Sequence, residues 1–314
     1  MTIAARTVFF GSGALAVPIL AALADAPEIS LAAVVSAPDR PAGRRGAPTP
    51  TPVADLARRL GIPLLQLERL RTPDAMAAVA AVRPQLGILA DYGLIVPGAM
   101  LDLFGNGILN VHPSLLPRHR GATPIQAAIL EGDAQTGVSV IRMDAGTDTG
   151  PIVASVDWPL GASATAPEVE VVAARAGADL VTGLLGAWLD GSIAGQPQDE
   201  AMATLTRPLS RDDGRLEPSR GAAALERQVR AYQPWPGSFL ETPAGRLVVW
   251  SSEVGPELAG DTPGRLEPDD DGGLALTTAG GRLRLLEVQP AGRRRMSGAD
   301  LLRGRPGLAG ARVA

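Results

Sequence analysis

The stretch "RTVFFGSGALAVPILAALADA", residues 6–26, permits two readings, and the choice between them sets the fold. One is a secretory signal, with a basic residue, an apolar run and small residues at its end. However, Gly11, Gly13 and Pro18 interrupt the run where a signal needs a continuous apolar segment. The other is a buried strand around Val8–Phe10, a glycine turn, and a helix from about Ala16. The residues that follow favour this second reading. "LAAVVSA", "LGILADYG" and "GILNVH" are further short apolar runs of the kind buried on both faces of a parallel sheet. Between them, "TPVADLARRLG" and "TPDAMAAVAAVRP" carry helical spacing. The alternation predicts a doubly wound α/β domain with a mainly parallel sheet.

Farther on, "GATPIQAAILEGD" announces a helix with Thr123 as N-cap, Pro124 in the first turn, Gln126 completing a capping box and Gly132 ending it. "TGVSVIRMD" follows as a strand. From about Asp190 small and polar residues take over, so 1–190 is expected to form one domain and 191–208 a linker. Residues 209–314 then form a second domain. It opens with one helical segment, "GAAALERQVRAYQP", and continues in short runs spaced by Gly and Pro turns, the pattern of a small β-barrel.

Composition removes whole classes of chemistry. There is no cysteine and no lysine, so thiolate nucleophiles, Cys-ligated metals, Schiff bases and a P-loop lysine are excluded. With two histidines, a multi-His metal site is not expected. No other stretch has 18 uninterrupted apolar residues, which predicts a soluble, cytoplasmic chain with no membrane partner. The formal charge of −4 conceals an asymmetry. Residues 1–200 hold 13 Arg against 19 acids, and 201–314 hold 16 Arg against 14. Within the latter, 281–312 carry eight Arg and two acids, including Arg293, Arg294 and Arg295. Such a run is either a solvated surface or a patch facing a polyanion such as RNA.

"GSGALA", 11–16, fits the glycine pattern of a dinucleotide site, but the acid that should end the second strand is Ser36. The glycines are read as permitting a tight turn. "NVH" is more informative. Asn110 and His112 project from one face of a strand, at its carboxyl end, where open α/β sheets place ligands. An amide and an imidazole converging there suit an oxyanion. A carboxylate to complete the chemistry lies in "MDAGTDTG", where spacing alone leaves Asp144 and Asp148 both open.

At these residues the chain resembles the 10-formyltetrahydrofolate-dependent formyltransferases. Their pattern is Asn-x-His, then Ser-Leu-Leu-Pro, then an Asp in a Gly-x-Asp-Thr-Gly loop. Here these are Asn110, His112, "SLLP" at 114–117, and Asp148 in "GTDTG". The resemblance runs nearly end to end through "PDRPAGR" (38–44), "ADYGLIVP" (90–97), "RAYQPWPGSF" (230–239) and "QPAGRRRMSGADLL" (289–302). These stretches are similar to the members that formylate methionyl initiator tRNA.

The resemblance implies a Rossmann-like catalytic domain followed by an OB-like barrel, and catalysis by Asn110, His112 and Asp148 without a metal. It implies 10-formyltetrahydrofolate as co-substrate, held by Ser114, Leu115, Leu116, Pro117, Tyr92, Gly93, Leu94 and Ile95. It also implies tRNA contacts from Arg40, Arg44, Arg45, Arg293, Arg294 and Arg295, in a protein acting as a monomer. Glycinamide ribonucleotide formyltransferases share the three residues but lack the C-terminal domain and the 38–44 loop. A formyltetrahydrofolate hydrolase would use water as acceptor, and a non-catalytic RNA-binding protein would need no triad. The chain departs from the family pattern at "GSGAL" and at His119, where an aromatic is usual.

Overall fold

The computed structural model describes residues 4–42 and 46–313. They fold into two compact units that do not follow the chain linearly. The first takes 1–124, 135–159 and 170–207; the second takes 125–134, 160–169 and 208–314.

The elements in chain order are β1 Ala5–Phe10, α1 Ala16–Ala24, β2 Ile29–Ser36, β3 Arg40–Ala42, β4 Ala47–Thr49, α2 Pro52–Arg59, β5 Leu64–Gln66, α3 Pro73–Ala81 and β6 Leu86–Leu89. There follow α4 Gly98–Leu101, β7 Ile108–His112, β8 Arg120–Gly121, α5 Pro124–Glu131, β9 Gln135–Arg142, β10 Ile152–Pro159 and α6 Ala166–Leu189. The remainder are β11 Leu205–Thr206, α7 Ala222–Ala231, β12 Ser238–Thr242, β13 Gly245–Gly255, β14 Leu266–Pro268, β15 Leu274–Thr277, β16 Arg282–Pro290, β17 Met296–Ser297 and α8 Gly298–Gly304.

The first unit is built on a seven-stranded sheet in the order β10-β9-β7-β6-β1-β2-β5. The strands from β5 to β7 are parallel, whereas β9 and β10 join antiparallel. This is the mainly parallel, Rossmann-like sheet expected. Its central strands are buried on both faces, and β7 is buried at every position. Helices start where Thr-Pro pairs predict. Thr51 Oγ1 accepts from Ala54 N and Thr72 Oγ1 from Ala75 N, each with Pro in the first turn. Each such cap contributes about 1 kcal/mol.

Helix α6 is long and apolar enough by composition to cross a bilayer. Gly177 within it presses on the sheet, for a Cβ there would stand 2.7 Å from Val111 Cγ1. Before α5, the Thr123 hydroxyl donates to the Arg207 carbonyl, 3.1 Å away.

The "GSGAL" turn connects β1 to α1 and serves packing. Ser12 N and Gly13 N both donate to the Asp91 carbonyl, and a Cβ on Gly13 would lie 1.7 Å from Asp91 Oδ2. Only glycine permits that approach. Ser36, at the position of a ribose-binding acid, is fully buried and paired with Thr51 Oγ1 at 2.6 Å.

The second unit is an antiparallel sheet in the order β12-β13-β16-β15-β14, with β17 added to β16. It matches the small β domain expected. Leu283, Leu285 and Val288 of β16 pack with Leu247 and Val249 of β13 and with Leu225 and Val229 of α7. The pairing of β13 with β16 shifts register around Ser251, the mark of a β-bulge. Residues 191–207 are part of the first unit. Gln196 exchanges two bonds with Ile152, and β11 pairs parallel with β8.

Candidate active site

Strand β7 ends at the carboxyl edge of the sheet between β6 and β9, and its last turn carries Asn110 and His112. Both are buried, at 6% and 5% exposure. The separation of two that put them on one face in the sequence brings them to the same acceptor, the carboxylate of Asp148. Asn110 Nδ2 donates to Asp148 Oδ1 at 3.0 Å, and Gly121 N donates to Oδ2 at 2.8 Å. His112 Nδ1 stands 3.6 Å from the same Oδ2. The amide and imidazole therefore converge on the carboxylate itself rather than on an empty point.

The loop geometry separates the two acids that spacing left open. Asp144 Oδ1 accepts from Gly146 N and Thr149 Oγ1, closing its own turn. Asp148 has φ +53°, which aims its side chain back at β7. That conformation costs an L-residue about 1–2 kcal/mol, and its surroundings must hold it. Gly150 makes the return possible, since a Cβ there would sit 1.9 Å from the Arg142 carbonyl.

The tautomer of His112 follows from its neighbours. Its Nε2 lies 2.9 Å from the carbonyl oxygen of His119. A carbonyl only accepts, so Nε2 carries a proton and Nδ1 is the edge that faces Asp148. His119 thus contributes through its backbone, at φ +59°, a role invisible in its side chain. The sequence signal available was its position in a Pro-rich turn two residues before Gly121.

The proposed folate residues fall into two groups. Ser114 and Leu116 are buried. The Ser114 hydroxyl donates to the Arg118 carbonyl, and Leu116 N donates to Ser139 Oγ. Leu115 and Pro117 remain half-buried. The 90–97 connector follows β6, whose Leu89 pairs in register with Asn110. Tyr92 turns inward, its ring edge-on to Phe10 at 5.7 Å, with no hydrogen-bond partner for the phenol among the described residues. Desolvation pushes that hydroxyl above its usual range. Gly93 and Ile95 are exposed and Leu94 half-buried. Desolvation also raises the Asp91 carboxyl, opposed by a bond from Leu15 N. Glu170 is raised by desolvation first and by the charge of Asp91 second.

Of the proposed tRNA contacts, Arg40 is exposed on β3, paired with β4. Arg44 and Arg45 lie outside the described residues. Arg293 and Arg294 are exposed. Arg295 stacks over the Trp250 ring at 3.5 Å and lies 3.5 Å from Glu287. The basic excess read along 281–312 is partly neutralised in space. Arg282 pairs with Asp261, and Arg284 with Asp269, Asp271 and Glu253.

Comparison with known proteins agrees over most of the chain. The formyl transferase family matches residues 5–181, and the formyl transferase C-terminal domain matches 208–306. A methionyl-tRNA formyltransferase of Roseiflexus sp. (strain RS-1) is 42% identical over 299 residues, covering 95% of this chain and 92% of that one. Among solved structures, the sugar 3N-formyl transferase WlaRD superposes with a TM-score of 0.65 at 15% identity, covering 92% of this chain and 99% of that one. Glycinamide ribonucleotide transformylase 1 of Symbiobacterium toebii superposes at 0.52 with 25% identity. It covers 62% of this chain and 95% of its own, so it leaves over a third of this sequence unmatched. The chain belongs to the methionyl-tRNA formyltransferase family.

Proposed function

We propose that Asn110, His112 and Asp148 transfer the formyl group of 10-formyltetrahydrofolate to the α-amine of methionyl initiator tRNA. The observation that carries this is the Asp148 carboxylate, half-buried at the edge of the sheet and faced by an amide, a backbone N–H and an imidazole. An α-amine titrates near roughly 7.7–8.0, so much of it is protonated at neutral pH and gives that first proton to solvent before it attacks as the neutral amine. Asp148 takes a proton from that nitrogen as the new C–N bond forms. The carbonyl pair moves onto oxygen, and Asn110 Nδ2 donates to the resulting oxyanion; His112, whose Nε2 already carries a proton, joins through Nδ1 only as the doubly protonated imidazolium.

The same proton transfer prepares those donors. A neutral Asp148 holds Asn110 and His112 more weakly than a carboxylate does, because charge-assisted hydrogen bonds are roughly twice as strong as neutral ones. The donors are released as the oxyanion forms. When the tetrahedral centre collapses, the bond to folate N10 breaks with its electron pair on nitrogen, and the proton held by Asp148 returns there.

Folate lies over Leu115–Pro117 and the 93–95 rim, with Ser114, Leu116 and Tyr92 shaping the wall from behind. Residues 1–190 carry the chemistry, 191–208 connect, and 209–314 hold tRNA. Arg40, Arg44 and Arg45 at one place, and Arg293 and Arg294 at another, meet phosphates, while Arg295 braces Trp250. The test is formyl transfer to methionyl initiator tRNA, with elongator tRNA and glycinamide ribonucleotide as rival acceptors. Transfer confined to the initiator supports the proposal. Preference for glycinamide ribonucleotide, or hydrolysis without transfer, overturns it.

A further inference from the structure

Segment 191–208 reads as a linker, yet its residues hydrogen-bond to the loops around Asp148. Gln198 is the centre of these contacts. Its Nε2 donates to the carbonyl of Asp148 at 2.8 Å and to that of Gly150 at 2.7 Å, gripping both sides of the loop tip. Its Oε1 accepts from Arg120 Nε at 3.0 Å and Nη2 at 2.8 Å. Arg120 is buried at 3% exposure and is itself held by both oxygens of Glu200. Both amide donors and the oxygen of Gln198 are therefore in use. The orientation is forced, because the reverse would set N–H groups against a guanidinium and oxygen against two carbonyls.

The same segment binds the opposite side of the site. Thr204 Oγ1 accepts from His119 N at 2.8 Å, and the Thr204 carbonyl accepts from Arg120 N at 2.9 Å. Thr206 Oγ1 donates to the Arg120 carbonyl at 2.9 Å. His119 supplies the carbonyl that fixes His112, and Gly121 supplies the N–H that fixes Asp148. One strap thus touches the supports of both groups.

We propose that Gln198 is a positioning residue for the reaction: it holds the Asp148 loop in its left-handed turn so that the carboxylate faces Asn110, His112 and Gly121. The inference rests on the assignment of Asp148 to the chemistry. A glutamine can do this where an acid or an apolar residue cannot. It donates twice to the loop while accepting from Arg120, which ties the loop to a buried cation.

The experiment is a double-mutant cycle between Gln198→Leu and Asp148→Asn in the full chain. Single-turnover rates at saturating substrates are normalised to the number of sites that bind a folate analogue, so that misfolded protein does not count. Gln198→Leu should slow the step about 10–100-fold, the loss expected for a catalytic group displaced by about 1 Å, with KM for both substrates within about twofold of the parent. In the Asp148→Asn background the same substitution should cost almost nothing, because the group it positions is already gone. Gln198→Glu, which keeps the size and the Arg120 contact but loses both donors, should behave as Gln198→Leu does.

Losses that multiply in the double variant, or an unchanged rate per binding site in Gln198→Leu, overturn the inference. If Asp148→Asn alone is as fast as the parent, the catalytic assignment fails instead, and the two failures are told apart within one data set.

Discussion

The carboxyl edge of the first unit's sheet and the Arg-rich strands of the second unit use charge in opposite ways. At the sheet edge, the Asp148 carboxylate is shielded from solvent and each neighbour points at it. On β16, Arg282 and Arg284 are absorbed by acids from 253–271. Arg293 and Arg294 stay exposed on the turn that follows. Counting charges along the sequence treats these arginines alike. The pairing separates them, because an ion-paired guanidinium has no charge left over for a phosphate while an exposed one does.

The comparison breaks most visibly at the sheet edge. Removing one oxyanion donor typically costs about 10²–10³ in turnover, so Asn110→Ala and His112→Ala should each lose at least that much in single-turnover assays. In the second unit the largest effect should come from the apolar core. Leu225→Ala, fully buried against β13 and β16, should destabilise by about 2–5 kcal/mol in urea unfolding. Tightness of tRNA binding should then distinguish the arginines. The double variant Arg293→Ala/Arg294→Ala should flatten the plot of log affinity against log salt by about 1.4–1.8, the contribution of two phosphate contacts. Arg284→Ala should leave that slope unchanged. Equal effects of the two would erase the distinction.

The smallest effect concerns acid. Arg282 holds the Asp261 carboxyl below the usual carboxylate range, chiefly by hydrogen bonding. Because the folded value lies below the unfolded one, the pair stabilises above the ordinary Asp pKa. That stabilisation is lost as pH falls through the lowered value. Asp261→Asn should therefore lower Tm at neutral pH, with the deficit closing in acid. A deficit independent of pH would mean that packing, not charge, is what Asp261 supplies.

Much of this architecture is legible in local sequence because its causes are local. Thr-Pro pairs mark helix starts, apolar runs mark buried strands, and a separation of two puts Asn110 and His112 on one face. What escaped depends on contacts between distant residues. Asp144 and Asp148 are separated by a backbone angle and an Asx turn. His112 is oriented by the carbonyl of another residue. Gln198 reaches Asp148 across 50 positions. Tyr92 sits in the apolar core although its surroundings in sequence read as a ligand rim. Pairing of Arg282 and Arg284 with acids from 253–271 cannot be read from a window around 281–312.

The most direct test of the central claim is the single-turnover formylation rate of Asp148→Asn with both substrates saturating. The substitution keeps the shape of the side chain and removes its capacity to take the amine proton. The account predicts a fall of at least about 10²-fold with folate binding retained. A rate within a few fold of the parent would contradict it.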